Sequence, residues 1–276
     1  MNIALVLAGG VGRRMGATTP KQFLSVLGKP VIVHTLEVFQ NNSNIDAIEV
    51  VTVDSYIEEV ELYRERYGLD KLKWIVSGGD TCQESIRNGI FNLEEKAKGN
   101  DNILIVMSVA PLISDEVIDD SIRVCNKYGN AVAGAYSIYN FSTIHRNIEN
   151  IEHNFDLKES LTDNPIGFVD ECVWANNYIY KEDHVTLNMP WTFPMGKLLW
   201  AYKKAFNEGI GNDVRAYTTT LMVDLGEKLY FSKDTQKNKL KLTTLDDVDM
   251  LEGYLLIQEL KKGNTEAAIT LANQYD

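Results

Sequence analysis

The chain has 276 residues, is 45% hydrophobic and 24% charged, and carries a formal net charge of −12. That length buries a substantial core, and the acidity argues against nucleic acid or an anionic membrane surface as the main partner. No apolar run approaches the ~20 residues of a membrane span and no leader pattern precedes the first apolar run; three cysteines, Cys82, Cys125 and Cys172, lack metal-type spacing and fit a reduced cytoplasm.

In chain order, Ile3–Leu7 is a short apolar run that reads as a buried strand. Val31–Phe39 has helical spacing, Ala47–Val53 is an apolar strand, Ile57–Tyr67 a charged amphipathic helix and Leu72–Val76 a strand. Gln83–Lys98 reads as helix, Ile103–Met107 as strand, Asp115–Lys127 as helix and Ala131–Tyr136 as strand. This alternation predicts an α/β fold with a doubly wound, mostly parallel sheet, whose ligands sit at the carboxyl ends of the strands. The rhythm breaks from about Ser137 to Met189, where Phe168–Cys172 and Val173–Tyr180 resemble short strands. Regular structure resumes with a helix near Gly196–Gly209, strands near Lys228–Phe231 and Leu240–Leu242, and a helix from Leu245 to Lys261. The whole chain, 1–276, reads as one domain with an insertion at 138–188 and a short extension at 263–276.

The most informative stretch is Leu7-Ala-Gly-Gly-Val-Gly-Arg-Arg-Met15 followed by Pro20-Lys-Gln22. Gly9, Gly10 and Gly12 let backbone N–H groups approach a ligand that a side chain would block. Residues 1–36 carry Arg13, Arg14, Lys21 and Lys29 and no Asp or Glu. Positive charge concentrated against the global trend, beside exposed amides at a strand end, points to an anion site and most simply to a polyphosphate. A dinucleotide fingerprint is excluded, because Gly9-x-x-Gly12 lacks the third glycine spacing.

This segment resembles the N-terminal signature of the cytidylyltransferases that act on methylerythritol phosphate and on ribitol phosphate: strand, Ala/Gly-Gly-x-Gly-x-Arg-Met, a short gap, then Pro-Lys-Gln. The resemblance implies a Rossmann-like nucleotidyltransferase fold with an inserted β-arm that crosses to a partner subunit, hence a homodimer built through 138–188. It implies transfer of CMP from CTP to a phosphorylated polyol. Arg14 and Lys21 match the transition-state stabilisers, and Ala8, Gly9, Gly10 and Gly12 the cradle for the nucleotide. Gly78-Gly79-Asp80 and Ser85 match the motif Gly-Gly-x-x-Arg-x-x-Ser, so Gly79, Asp80 and Ser85 are expected at base and ribose. Ser108 matches a further nucleotide contact. Lys241, in Lys239-Leu-Lys-Leu-Thr-Thr244, matches the lysine that holds the second substrate's phosphate. Thr143 lines up with a segment at the base of the arm, with Arg146 as a phosphate contact there.

The chain departs from the pattern at four places. Cys82 replaces the arginine of the second motif, Met107 an aspartate that ligates magnesium, and Ala110 an arginine. Tyr217 falls where a second metal aspartate is expected, with Asp213 and Asp224 nearby. A thioether cannot replace a hard oxygen ligand, so Mg2+ is expected to arrive with CTP while the protein's own metal ligands stay unknown. Leu7-Ala-Gly-Gly, Ser108-Val109, Thr243-Thr244 and Pro190-Trp-Thr-Phe193, with Trp191 in place of a glutamine, lean toward the ribitol phosphate branch. The expected reaction is therefore CMP transfer to D-ribitol 5-phosphate in the cytoplasm, for a cell-surface polysaccharide. Two rivals stand beside it: transfer to 2-C-methyl-D-erythritol 4-phosphate, and a nucleotide-binding paralogue impaired by the loss of the metal aspartate.

Overall fold

The computed structural model describes residues 1–10, 19–137, 145–146, 173–174, 180–210, 217–235, 237–239, 242 and 246–265. They divide into two compact units, Met1–Gly134 with Leu187–Asp276, and Ala135–Thr186.

The first strand, β1 (Asn2–Ala8), is apolar on both faces and nearly fully buried. Side chains alternate along it, as strand geometry requires. Ala4, Val6 and Ala8 join Ile32, Leu36, Phe39, Val117 and Ile118 on one face of the sheet. Ile3, Leu5 and Leu7 join Ile86, Ile90, Phe193, Leu198 and Tyr202 on the other. A run buried on both sides belongs in the middle of a parallel sheet covered by helices. The short strands β2 (Ser25–Val26) and β3 (Lys29–Pro30) form a separate hairpin. Around β1, the strands β4 (Ala47–Thr52), β5 (Leu72–Ser77) and β6 (Asn102–Met107) are parallel, with β1 paired to β4 and β6 and β4 paired to β5. Farther along come β7 (Ala131–Tyr136), the antiparallel pair β8 (His145–Arg146) and β9 (Val173–Trp174), β10 (Val185–Pro194) and β11 (Phe231–Ser232). The seven-stranded sheet runs β11-β7-β10-β6-β1-β4-β5, with β10 antiparallel to β6 and β11 parallel to β7. The mostly parallel sheet expected from the alternation is present.

Local chemistry sets the helix ends. The helix Cys82–Asn92 starts on a capping box: Thr81 accepts from the Glu84 N–H, and Glu84 accepts from the Thr81 N–H. It ends at Asn92, short of the expected Lys98. Gly89 sits on its sheet-facing side, where a Cβ would stand 2.6 Å from Leu5 Cδ1 and 2.8 Å from Val51 Cγ2. The helix Asp115–Tyr128 closes at Gly129, whose φ of 87° places it in the left-handed region that glycine adopts without strain. Two elements escape local pattern reading: β10, and the helix Thr218–Asp224. The helix Asp246–Lys261 matches its expected range, and the strand expected near 228–231 is confined to β11. The Leu240–Leu242 strand and most of the 263–276 extension lie outside the described residues. In the second unit, the Ser137 N–H donates to the His184 carbonyl, and His145 pairs with Trp174 and Arg146 with Val173.

Glu49 is a carboxyl inside the sheet. It lies opposite Leu5 on β4, is fully buried, and accepts from Asn92 at Oε1, while Oε2 has no partner among the described residues. Burial pushes its pKa up to about 8, against the opposing hydrogen bond from Asn92 and the charge of Lys96. A carboxyl raised in the fold stabilises fully below its unfolded value near 4.5 and loses that contribution as pH rises through about 8. Glu49→Gln should therefore flatten the fall in stability between pH 5 and 9, and exceed wild type at pH 9 by on the order of a few kcal/mol. Denaturant melts of both proteins at pH 5, 7 and 9 check this; parallel profiles contradict it.

Candidate nucleotide site

The carboxyl ends of β1, β4, β5 and β6 lie side by side, so their following loops converge. Ala8 ends β1, and Gly9 and Gly10 begin the loop. The Gln22 side chain, 1% exposed, holds that turn: its Nε2 donates to the Ala8 carbonyl at 2.7 Å and to the Gly10 carbonyl at 2.9 Å. Both amide protons of Gln22 are thereby used on two backbone carbonyls at the strand end. Thr52, the last residue of β4, adds a 3.5 Å contact from Oγ1 to the same Ala8 carbonyl.

The second loop, after β5, packs against the first. The Gly78 N–H donates to the Thr52 carbonyl at 2.7 Å. Ser85 Oγ accepts from the Gly79 N–H at 3.0 Å. A Cβ on Gly9 would stand 3.2 Å from that oxygen and one on Gly78 3.0 Å from it, so the two glycine turns close on one hydroxyl. At Gly79 a Cβ would collide with Glu84 Cβ at 2.3 Å. At Gly10, by contrast, a Cβ would meet nothing within 4 Å, and the residue is exposed. Gly10 thus leaves its backbone open to a ligand, while Gly9, Gly78 and Gly79 serve close packing. Asp80 is exposed just before the Thr81 cap.

Lys21 reaches the other end of the chain. Its Nζ donates to the Leu242 carbonyl at 2.8 Å, tying the Pro-Lys-Gln turn to the Lys239–Thr244 segment. Ser108 is 3% exposed, and its backbone links β6 to β1: its N–H donates to the Leu7 carbonyl, and its carbonyl accepts from Thr35 Oγ1. Gly12, Arg13, Arg14, Thr143 and Lys241 lie outside the described residues, as does the side chain of Arg146, whose backbone is in β8. The described structure brings together Ala8, Gly9, Gly10, Gly79 and Ser85, with Gln22 at the first turn and the Lys21 amine held at the Leu242 carbonyl. Sequence reasoning missed Gln22 as a positioning residue, although it is the third residue of Pro20-Lys-Gln22.

Beside the glycine loop, Met107 ends β6 in register with Leu7. It opens onto a cavity of about 360 Å³ whose walls also include Ala110, Trp191, Tyr217, Asn188 and Asn238. Three of the four departures from the motif pattern, Met107, Ala110 and Tyr217, therefore meet in one place, together with Trp191. The fourth, Cys82, begins the Cys82–Asn92 helix. Trp191 and Tyr217 stand edge to face, 5.7 Å between ring centres. The Tyr217 end is anchored from below by the buried Tyr202 hydroxyl, which donates to Gln83 Oε1 at 2.6 Å and lies 2.9 Å from Thr218 Oγ1. The described residues do not fit a protein-held magnesium ion here: a thioether and a phenol occupy the expected carboxylate positions, Asp224 is exposed at the end of its helix, and no group of three His, Cys, Asp or Glu side chains is arranged for a metal among them. Asp213 lies outside the described residues.

Comparison with known proteins agrees with this geometry. The family model of IspD, 2-C-methyl-D-erythritol 4-phosphate cytidylyltransferase, matches residues 2–154, more than half of the chain. A ribitol-5-phosphate cytidylyltransferase of Lacticaseibacillus paracasei is 36% identical over 94% of this chain and 100% of its own length. A 2-C-methyl-D-erythritol 4-phosphate cytidylyltransferase of Clostridium novyi is 29% identical over 92% of this chain and 96% of its own. The crystal structure of 4-diphosphocytidyl-2C-methyl-D-erythritol synthase from Anaerococcus prevotii shares the fold, with a TM-score of 0.69 at 17% identity, over 92% of this chain and 98% of that one. With the glycine loop, the Pro-Lys-Gln turn and these likenesses in place, the chain belongs to the IspD family of cytidylyltransferases.

Proposed function

We propose that this enzyme transfers CMP from CTP to a phosphorylated polyol, D-ribitol 5-phosphate, releasing pyrophosphate and CDP-ribitol. An oxygen of the acceptor's phosphate attacks the α-phosphorus; the new P–O bond forms as the bond to the β-phosphate oxygen breaks, and the electron pair leaves with pyrophosphate. No covalent enzyme intermediate is required. Catalysis then consists of holding two anions in line and neutralising charge on the α-phosphoryl and leaving groups. Lysine and arginine suit this because they stay charged and donate several hydrogen bonds. Lys21 takes that role with Arg14, seven positions earlier in sequence, while the loop amides from Gly9 to Gly12 cradle the triphosphate. Gly79, Asp80 and Ser85 receive the base and ribose, and Ser108 supports them from the wall. Lys241, Thr143 and Arg146 receive the acceptor.

The observation that carries the reading is the Pro20-Lys-Gln22 turn. Gln22 locks the mouth of the glycine loop, and the next side chain, Lys21, is held against the C-terminal segment that contains Lys241. The ribitol phosphate reading is preferred over methylerythritol phosphate because the full-length likeness to the former enzyme is 36% identical and to the latter 29%. The proposal extends to a cytoplasmic homodimer joined through residues 138–188, serving a cell-surface polysaccharide. Magnesium is proposed to enter bound to CTP.

The direct test is pyrophosphate release from CTP with ribitol 5-phosphate, methylerythritol 4-phosphate and other polyol phosphates. Ribitol 5-phosphate should give the highest kcat/KM, with Met107→Asp lowering the magnesium concentration needed for half-maximal rate. A higher rate with methylerythritol phosphate selects the first rival; no release by wild type or by Met107→Asp selects the impaired paralogue. A second test addresses the turn. Gln22→Ala removes two hydrogen bonds at the loop and leaves the Ala8 carbonyl with only the long Thr52 contact, at a cost of about 1–3 kcal/mol. It should lower kcat/KM for CTP at least tenfold, well beyond what its shift in melting temperature explains; an unchanged kcat/KM contradicts the role assigned to Gln22.

A further inference from the structure

A groove of about 720 Å³, separate from the glycine loop, lies between the helices Val31–Asn41 and Asp246–Lys261. The first helix gives it His34, Glu37, Val38 and Asn41, and the second gives it Leu255, Gln258, Glu259 and Lys262. Both sets are spaced i, i+3, i+4 and i+7, which is the face a helix turns to a packing neighbour. Val38, Ile113 and Leu255 supply apolar surface between them. Two such faces with open space between them have the form that seats a third, amphipathic helix.

The charges on the walls are already matched from within. Lys29 Nζ donates to both Glu37 oxygens, at 2.6 and 2.8 Å. Lys262 Nζ donates to Glu259 Oε1 at 2.7 Å, and Asp115 accepts from Asn42 Nδ2 at 2.8 Å. Burial lowers the His34 pKa, and its Nε2–H donates to the Val26 carbonyl at 2.8 Å, so the ring is neutral. A groove of this kind calls for an uncharged, partly apolar occupant.

The chain itself leads to one. The helix Asp246–Lys261 closes with Gly263 at a φ of 83°. The Gly263 N–H donates to the Leu260 carbonyl and the Asn264 N–H to the Glu259 carbonyl, the paired closure that turns the chain at a helix end. Asn264 Nδ2 also donates to Glu259 Oε2 at 3.2 Å, so the chain leaves from the wall of the groove. Residues 266–276 lie outside the described residues, but their sequence is informative. Ala267 to Gln274 carries no charge, and Ala268, Leu271, Ala272 and Tyr275 fall at helical spacing. Eleven residues of helix span roughly 16 Å, against roughly 10 Å from Leu255 to Lys262. A tether this short holds the segment at an effective concentration on the order of millimolar.

We propose that residues 266–276 fold back as a helix into this groove, with Ala268, Leu271, Ala272 and Tyr275 turned to Val38, Ile113 and Leu255. The seat has a consequence for the Pro20-Lys-Gln22 turn. Leu255 shares one apolar cluster with Val26, Leu242 and Leu251, and the Leu242 carbonyl receives Lys21 Nζ. A tail packed on Leu255 therefore braces the wall to which Lys21 is tied.

Hydrogen exchange followed by mass spectrometry on the full chain tests this without substrates, so its outcome is independent of the CMP-transfer reading. In wild type, residues 266–276 should exchange at least tenfold more slowly than in Leu271→Asp, which puts a charge on the seated face. Gln258→Trp fills the groove from its wall and leaves the tail sequence intact; it should abolish the same protection. Should Gln258→Trp fail to fold, Asn41→Lys blocks the groove from the other helix. In these variants the Lys21–Leu24 amides should exchange at least threefold faster than in wild type. Wild-type exchange of 266–276 at the rate of an unstructured peptide overturns the proposal. Protection that persists in the folded groove variants overturns it too, because the tail is then seated elsewhere. Protection lost on hundredfold dilution assigns the groove to a second copy and contradicts the fold-back. Unchanged exchange at Lys21–Leu24 contradicts the brace.

Discussion

The side-chain amide of Gln22 is the small contact on which the site depends. At the end of β1, the Ala8 and Gly10 carbonyls flank Gly9 and Gly10, which have no side chains with which to hold the turn. One buried glutamine does so with both of its protons. The gain from each bond is only about 1 kcal/mol, but leaving a buried carbonyl unpaired costs more than making the bond gains. The loop mouth is therefore held at one position, and the residue beside Gln22 in sequence, Lys21, is held with it. Lys21 reaches the Leu242 carbonyl, so the first and last parts of the catalytic unit are joined at the same turn. Gly9 and Gly10, held in this way, would present their amides to an arriving triphosphate already positioned, which is where electrostatic catalysis gains most.

The remainder of the site divides by charge. Toward β4 and β5, two glycine turns pack on Ser85 at Gly9 and Gly78, and Glu84 leaves no room for a methyl group at Gly79. Toward β6 and β10, the surface is neutral and aromatic, with the Asn188 and Asn238 amides clamped by Asp234. A chain with net charge −12 carries Arg13, Arg14 and Lys21 within its glycine-loop motif, and among the described residues no charged side chain lines the adjoining cavity. That asymmetry suits a reaction in which the phosphates of two substrates meet while the neutral parts of each lie on opposite sides.

What the sequence made legible follows from how local each signal is. β1, β4 and β6 are uninterrupted apolar runs, and buried parallel strands have that pattern, so their positions and the class of sheet could be read directly. β10 could not. Its sequence from Val185 to Pro194 contains Pro190 and Pro194, which ordinarily argue against a strand, and it follows the segment where the βα rhythm fails. The helix Thr218–Asp224 is seven residues long and starts with three threonines, too short and too β-branched for helical periodicity. Among site residues, Lys21, Gly9 and Ser85 were found because motif spacing carries them. The bond from Asn238 to the Met189 carbonyl spans 49 residues, and no local pattern encodes it. Asp234 left no sequence signal at all, because its work is to face two amides that the fold brings from β10 and from a 3-10 turn.

The most direct measurement is a crystal structure of the chain with CTP. The account places the triphosphate on the amides that begin at Gly9 and Gly10, with Lys21 at its phosphates and the base against Gly79 and Ser85. A nucleotide bound elsewhere, such as in the separate groove between His34, Lys29 and Glu259, would contradict it.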